Sequence, residues 1–255
     1  MFIDAHNHVL DYLEEVGNIE KSLYPDDFSI SFCASSNDKM RFLKQKEICN
    51  NLPTNITPYY SFGIHPQAPD INELQFLEDL LKKKEIVAIG ECGFDLFDEN
   101  YRKSIEAQKE VWNAQLELGV KYQMPLVIHC RKALPLIFSY VKVLKKLKAV
   151  IFHGWSGSVG EASSLLKKGV NAYFCIGKAL LRGQKSQIEM ASVFDISRLL
   201  SETDAPYMAL KGETFSSLTD IVQVVDKIAI LKHIEKEELK DILFKNLIRG
   251  FGIDY

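Results

Sequence analysis

The sequence predicts a single-domain α/β protein folded as a (β/α)8 TIM barrel. Eight short apolar segments of strand length alternate with helical segments along 255 residues, a pattern typical of a parallel sheet. Eight strands close a barrel, and about 250 residues is an ordinary size for that fold as one domain. Polar side chains that can bind metal follow several of the strands. An open doubly wound sheet is the alternative architecture.

The predicted strands are short apolar runs that end at polar or turn-forming residues. Pro66 ends the third run, because proline cannot donate a hydrogen bond to a strand ladder. The eight runs cover residues 2–6, 28–35, 56–64, 86–90, 125–129, 149–153, 171–176 and 199–203.

The predicted helices fill the intervals between these strands and carry apolar residues at helical spacing. The polar residues 11–26 are expected to form a loop with at most a short helical turn. No linker-like or low-complexity segment interrupts the chain, so residues 1–255 are expected to form one domain. The helices cover residues 37–50, 71–83, 99–122, a segment ending near 148, 158–169, 217–231 and 235–249.

Composition and charge narrow the class of protein. The chain is 47% hydrophobic and 25% charged, which is ordinary for a globular protein. A net charge of −3 argues against bulk electrostatic binding of long nucleic acid, so any phosphate binding should be local. Five cysteines without a C-x-x-C spacing favour reduced thiols and a cytoplasmic protein. Neither a signal peptide nor a membrane span is expected.

Candidate metal ligands follow the strands. His6 and His8 end the first run, and the period of two places them on the same face. Four more candidates stand at the ends of the fourth, fifth, sixth and eighth strands, and His65 ends the third. Five of the six histidines thus follow strands, whereas His233 lacks such a context and is expected to be solvated. The four further candidates are Glu91, His129, His153 and Asp204.

These residues decide between the two architectures and indicate a pair of ions. The carboxyl ends of strands one, four, five, six and eight can converge only if the sheet closes, which favours the barrel. Four histidines and two carboxylates exceed the needs of one tetrahedral ion but suit two divalent ions. Glu91, on a central strand, is the natural bridging carboxylate. Asp204 could bind one ion and also orient or deprotonate the attacking water, whose pKa falls toward about 7 when bound.

Six ordered motifs resemble those of the TatD family of metal-dependent deoxyribonucleases, which are amidohydrolase-like barrels. The resemblance runs from residue 3 to the last helix. The motifs are Asp4-Ala-His-Asn-His8, Gly63-Ile-His-Pro66, Gly90-Glu-Cys-Gly-Phe-Asp95, His129-Cys-Arg131, His153-Gly-Trp-Ser-Gly157 and Thr203-Asp-Ala-Pro-Tyr207.

The resemblance implies two divalent ions, zinc, magnesium or manganese, and hydrolysis of phosphodiester bonds in DNA or a short oligonucleotide. One ion would be bound by His6, His8, Glu91 and Asp204, and the other by Glu91, His129 and His153. His65 and Arg131 would then face the substrate phosphate, with Glu91 and Asp204 as the catalytic carboxylates. The enzyme is expected to act as a monomer.

The chain departs from the family pattern where substrate would bind. Gln67 stands where a second histidine often follows His-Pro, and Lys132 replaces the usual aspartate after His-x-Arg. The Arg-Asn-x-Pro segment expected after Tyr207 is absent, and residues 208–215 run directly toward the next helix. Two further functions remain open: a metal-dependent amide, ester or lactone hydrolase on the same barrel, and a binding protein that has lost catalysis.

Overall fold

Eight parallel strands form the core of the molecule, as a computed structural model describes it for residues 1–16 and 28–254. The strands follow one another in the sheet in their order along the chain, and each pairs in parallel with the next. They are β1 (Phe2–Asn7), β2 (Ile30–Ser36), β3 (Ile56–Phe62), β4 (Ala88–Asp95), β5 (Leu126–Arg131), β6 (Val150–Phe152), β7 (Ala172–Ile176) and β8 (Leu199–Ser201). All eight predicted strands are confirmed.

Hydrogen bonds across the seam between β8 and β1 close the sheet into a barrel. The Ser201 hydroxyl donates to the Ile3 carbonyl at 2.7 Å. The backbone N–H of Asp204 donates to the His6 carbonyl at 3.0 Å, and that of His8 donates to the Ala205 carbonyl at 2.8 Å. The TIM barrel prediction is therefore confirmed, and the open sheet is excluded.

Helices surround the barrel in the connections between strands. They are α1 (Val9–Val16), α2 (Lys39–Cys49), α3 (Leu74–Lys83), α4 (Glu99–Lys103), α5 (Ile105–Tyr122), α6 (Leu134–Ser139), α7 (Val141–Leu144), α8 (Val159–Lys167), α9 (Lys185–Val193), α10 (Ile221–Lys232) and α11 (Lys236–Phe251). None of the helices in the described residues is long and apolar enough to cross a membrane.

The helical predictions differ from the structure at four places. Residues 11–16 of the predicted 11–26 loop belong to α1, and residues 17–26 lie outside the described residues. The predicted helix that ends near residue 148 is divided into α6 and α7. The predicted 99–122 helix is divided at Ser104 into α4 and α5. The helix α9 after β7 was not predicted at all.

A continuous apolar core fills the barrel and the layer between the strands and the helices. β2, β4 and β7 are buried along their whole length, as expected of parallel strands that are covered on both faces. Because this framework is closed and densely packed, it fixes the positions of the strand ends. The residues that follow those ends are held accordingly at one face of the barrel, which we call the mouth.

Candidate metal centre

Glu91 lies at the centre of the mouth with five imidazole rings around its carboxylate. It belongs to β4 and is 3% exposed, so its charge is almost fully removed from solvent. Each of its two oxygens faces more than one ring nitrogen. The distances are 3.3 Å from Oε2 to His6 Nε2 and 3.5 Å to His8 Nε2, and from Oε1 3.4 Å to His65 Nε2, 2.7 Å to His129 Nδ1 and 3.1 Å to His153 Nε2.

Asp204 supplies a second carboxylate on the side of the mouth where β8 meets β1. Its Oδ1 lies 3.6 Å from His6 Nε2 and 3.5 Å from His8 Nε2. The residue has φ of 58°, in the left-handed region that aspartate tolerates better than most side chains. Buried Asp4 fixes this corner, because it accepts hydrogen bonds from the backbone N–H of Thr203 and from that of His6.

Further carboxylates lie behind three of the rings. Asp95 Oδ2 is 3.1 Å from His129 Nε2, Glu202 Oε2 is 3.4 Å from His153 Nδ1, and Asp11 Oδ2 is 3.8 Å from His8 Nδ1. In each case the other ring nitrogen is the one that faces Glu91. Metal-binding histidines commonly have a carboxylate at the second nitrogen, which orients the ring and raises its basicity.

Sequence reasoning did not find these outer carboxylates. Asp95 lies four residues beyond Glu91 in the same strand, so strand alternation alone would have placed it on the same face. Glu202 lies two residues before Asp204, and the same argument would have indicated it. Asp11 had no such signal, because it belongs to the unpredicted helix α1.

The electrostatics of the site follow from these contacts. Burial raises the pKa of Glu91, but the surrounding imidazoles outweigh burial and hold that pKa well below its usual value. Burial lowers the pKa of His8, yet the Asp204 and Glu91 carboxylates raise it to about 9. Burial lowers the pKa of His129, but Asp95 and Glu91 outweigh it and raise that pKa. Burial likewise lowers the pKa of His153, and Glu91, Asp204 and Glu202 raise it. Carboxylates and imidazoles are therefore strongly coupled throughout the site, and the buried carboxylates favour a positive charge beside them, as a proton or as a metal ion.

The donor set fits divalent ions. Three groups of residues bring their donor atoms within 4.8 Å of one another: His6, His8 and Glu91; His65, Glu91 and His129; and His6, His153 and Asp204. In a tetrahedral zinc site with bonds of about 2.0–2.1 Å, the donor atoms lie about 3.3–3.4 Å apart. The His6 Nε2 and His8 Nε2 atoms are 3.2 Å apart, and both lie near Glu91 Oε2. Their separation is close to the distance between two donor atoms of a tetrahedral zinc site.

The two expected phosphate contacts occupy different depths of the mouth. His65 lies deep in the site, where it is grouped with Glu91 and His129, so the structure brings it among the candidate ligands as well. Arg131 is the last residue of β5 and is exposed at the rim. Its guanidinium carbon lies 3.6 Å from the centre of the Phe97 ring. His233, by contrast, is exposed at the end of α10.

A cavity of about 650 Å3 opens above these residues, large enough for a small organic substrate. It is lined by all of the metal-binding candidates except buried His6, and by four cations, of which Lys178 is buried. The lining cations are Arg41, Arg131, Lys178 and Arg182.

A TIM barrel with histidines and carboxylates gathered at the ends of its strands defines a metal-dependent hydrolase. A sequence profile described as TatD related DNase matches residues 3–252. The chain belongs to the TatD related DNase family.

Individual proteins that are similar to this chain also support this membership. An uncharacterised metal-dependent hydrolase of Methanocaldococcus jannaschii is 29% identical over 259 residues, covering 98% of this chain and 96% of the relative. The 3′–5′ ssDNA/RNA exonuclease TatD of Erwinia amylovora is 33% identical over 205 residues, covering 75% of this chain and 77% of the relative. A crystal structure of a TatD homologue from Escherichia coli superposes with a TM-score of 0.84 at 22% identity, covering 99% of this chain and 98% of that one. That superposition shows the shared fold.

Proposed function

We propose that this protein hydrolyses phosphodiester bonds in DNA or short oligonucleotides with two divalent ions at the mouth of the barrel. The observation that carries the proposal is the position of Glu91. Its Oε2 faces His6 and His8, and its Oε1 faces the other three histidines. A carboxylate shared in this way between two sets of imidazoles is suited to bridging two cations.

We assign one ion to His6, His8, Glu91 and Asp204, and the other to Glu91, His129 and His153. His65 lies close enough to Glu91 and His129 to complete the second set, or to contact the substrate phosphate from below. Zinc, magnesium and manganese remain the candidate metals. When bound, such ions polarise a phosphoryl oxygen and make a hydroxide available at neutral pH.

The protein's own groups would orient the reaction. Asp204, whose pKa stays below its usual value beside the imidazoles although burial raises it, can accept a proton from the attacking water. As the water oxygen bonds to phosphorus, its proton would pass to Asp204. The phosphorus–oxygen bond to the leaving nucleoside would then break, and Asp204 would return that proton to the leaving oxygen. Arg131 at the rim is placed to hold a nonbridging phosphate oxygen, since a guanidinium binds phosphate with two parallel hydrogen bonds.

An amide, ester or lactone hydrolase on the same barrel is the second candidate. A frequent arrangement there has a lysine at the end of strand four. Here Glu91 occupies that position, which favours the nuclease. A binding protein without catalysis is disfavoured by the complete set of convergent ligands.

The form of the substrate follows from charge and shape. The net charge of −3 and the few unpaired cations at the mouth suit short or terminal segments better than long duplexes. The relatives named as 3′–5′ exonucleases act on strand ends, which agrees with this inference. The five cysteines are all free, in keeping with a cytoplasmic enzyme, and we propose that it acts as a monomer.

The direct test uses purified protein loaded with each candidate metal. Substrates are single-stranded DNA, duplex DNA, a neutral ester and an amide. The matched control is Glu91→Gln, which keeps the size of the side chain but removes the anionic charge between two cations, and which also reports any contaminating nuclease. Cleavage of DNA by the wild type, with most of it lost in a folded Glu91→Gln protein, supports the proposal. Faster cleavage of the neutral ester or the amide would favour the second candidate.

A further inference from the structure

A compact cluster of one aromatic ring and two cations lies on the rim between β4 and β5. Phe97 follows the end of β4, and Arg131 and Lys132 stand at the end of β5. The two connections are tied together, because Asp95 and Arg131 are paired in the sheet and the Leu96 N–H donates to the Arg131 carbonyl at 2.9 Å. The cluster is therefore a built part of the rim.

The Phe97 ring is held firmly but left open. Its backbone N–H donates to Asp95 Oδ1 at 2.8 Å, and its carbonyl accepts from Arg102 Nη1 at 3.2 Å. The residue is nevertheless 44% exposed. The ring thus presents apolar surface beside the cavity.

The two cations lie over this ring and are not neutralised. Arg131 Cζ is 3.6 Å, and Lys132 Nζ 4.9 Å, from the ring centre. No carboxylate in the described ranges 1–16 and 28–254 comes within ion-pair distance of either cation. Elsewhere at the mouth, Arg41 is paired with Asp11 and Glu14.

Buried Lys178 is likewise paired, with Glu213 and Asp220. Arg182 also has no carboxylate within ion-pair distance in the described residues and instead contacts Met208 Sδ. Unpaired positive charge at the mouth therefore lies at Arg131, Lys132 and Arg182, and only the first two adjoin an exposed aromatic ring. Phosphate groups are the ligands that such a pair attracts most strongly.

We propose that Phe97 and Lys132 form a subsite for the nucleotide next to the scissile phosphate. Its base stacks on the exposed surface of the Phe97 ring, and its phosphate contacts Lys132, while Arg131 stays on the scissile phosphate. Arg131 lies two residues beyond His129, about 7 Å along β5, so the cluster is near enough to contact the nucleotide next to the scissile phosphate. Base stacking on an aromatic side chain tolerates any sequence, because every base has a π-face.

This inference rests on the proposed phosphodiesterase activity. Lys132 is the residue that distinguishes this subsite chemically, because a lysine attracts a neighbouring phosphate.

The test compares wild type, Phe97→Leu, Phe97→Tyr and Lys132→Ser on single-stranded octanucleotides. One octanucleotide is intact, and two others lack the base one position to either side of the scissile bond. For the wild type, one of the abasic substrates should raise KM at least fivefold with little change in kcat. In Phe97→Leu that preference for the intact substrate should disappear, and in Phe97→Tyr it should return.

Lys132→Ser should lower the dependence of log KM on log salt concentration by about one, without altering the preference for an intact base. Ile230→Ala, which truncates an equally exposed apolar side chain on α10, is the control and should match the wild type. Melting temperature and bound metal should be unchanged in all four variants.

Two outcomes would overturn the subsite. One is an equal rise in KM of Phe97→Leu on intact and abasic substrates, which a purely structural ring would produce. The other is a wild type that does not distinguish the substrates at all. Absence of any cleavage by metal-loaded wild type would instead contradict the proposed function itself.

Discussion

At the scale of single residues, the carboxylates behind the histidine rings set how well the mouth holds a cation. Glu202 accepts a 2.7 Å hydrogen bond from the Gly154 N–H and faces His153 Nδ1 with its other oxygen. It is 2% exposed. Because its position is fixed by the backbone, it fixes the orientation of His153 in turn.

Replacement of Glu202 by glutamine should weaken metal binding at the mouth. The amide keeps the size of the side chain but loses the negative charge, which orients the His153 ring and makes it a stronger metal ligand. The affinity for the metal ion should therefore fall by about 10–100-fold. Titration calorimetry of the metal-free protein measures this. Glu189→Gln, on an exposed residue of α9, is the matched control. Equal affinities in both variants would show that Glu202 has no influence on the metal.

Replacement of Arg131 by alanine should weaken phosphodiester cleavage by about 1.5–3 kcal/mol, the scale of a hydrogen bond between charged groups. Cleavage of a neutral ester and metal occupancy should not change. The structure gives Arg131 a stacking contact with Phe97 rather than an ion pair with Asp95. Arg249→Ala, on the exposed side of α11, controls for loss of a positive charge. An equal loss on both substrates would contradict a phosphate contact.

Metal affinity should also depend on pH. Although burial lowers the pKa of His8, the Asp204 and Glu91 carboxylates raise it to about 9, so this ring keeps its proton at neutral pH when no ion is bound. The pKa values of His129 and His153 are also raised, which adds to the proton release. An ion must displace those protons, so its apparent affinity should rise between pH 7 and 9, by about tenfold per unit for each proton released. Calorimetry in buffers of different ionisation enthalpy counts the protons. An affinity that is flat over this range would contradict the assignment of these rings as ligands.

At the scale of elements, buried glutamines on helices complete the hydrogen bonding of strand ends. Gln115 on α5 donates to the Ile64 carbonyl at 3.1 Å and accepts from the Ile64 N–H at 2.7 Å. Gln108, two turns earlier, makes the same pair of bonds with Asp95. One helix thus fixes the backbone beside His65 and beside the carboxylate that orients His129.

Replacement of Gln115 by methionine should lower the free energy of unfolding by about 2–4 kcal/mol. The side chain stays similar in size, but a buried N–H and a buried C=O of Ile64 lose their partners. Urea unfolding measures the change. Gln75→Met, on the exposed side of α3, should change it by less than about 0.5 kcal/mol. A Gln115→Met protein as stable as the Gln75→Met control would rule out this role.

Strands were easier to predict than helices for a physical reason. Six of the eight strands are buried along their whole length and read as short apolar runs. Helix boundaries instead depend on side-chain contacts that the hydrophobic pattern does not reveal. At Ser104 the break between α4 and α5 follows from the Ser104 hydroxyl and Gln108 both donating to the Tyr101 carbonyl. These bonds compete with the regular helical hydrogen bonds.

At the scale of the whole molecule, closure of the barrel is what makes a site out of distant residues. Asp4 and Ser201 join β1 to β8, so His6 and Asp204 become neighbours although they lie at opposite ends of the chain. The position of polar residues directly after the apolar strands was enough to predict that all of the candidate ligands would converge. It could not indicate which further carboxylates reach them, nor that Phe97 covers Arg131, because those contacts depend on how the loops pack.

Stepwise metal loading tests whether two ions bind at the mouth and drive cleavage. Metal-free protein is titrated with each candidate ion, and ions bound per chain are measured beside the cleavage rate of a single-stranded oligonucleotide. We expect no cleavage without metal and a maximal rate at two ions per chain. Full cleavage by metal-free protein, or saturation at one ion with no further gain in rate, would contradict it.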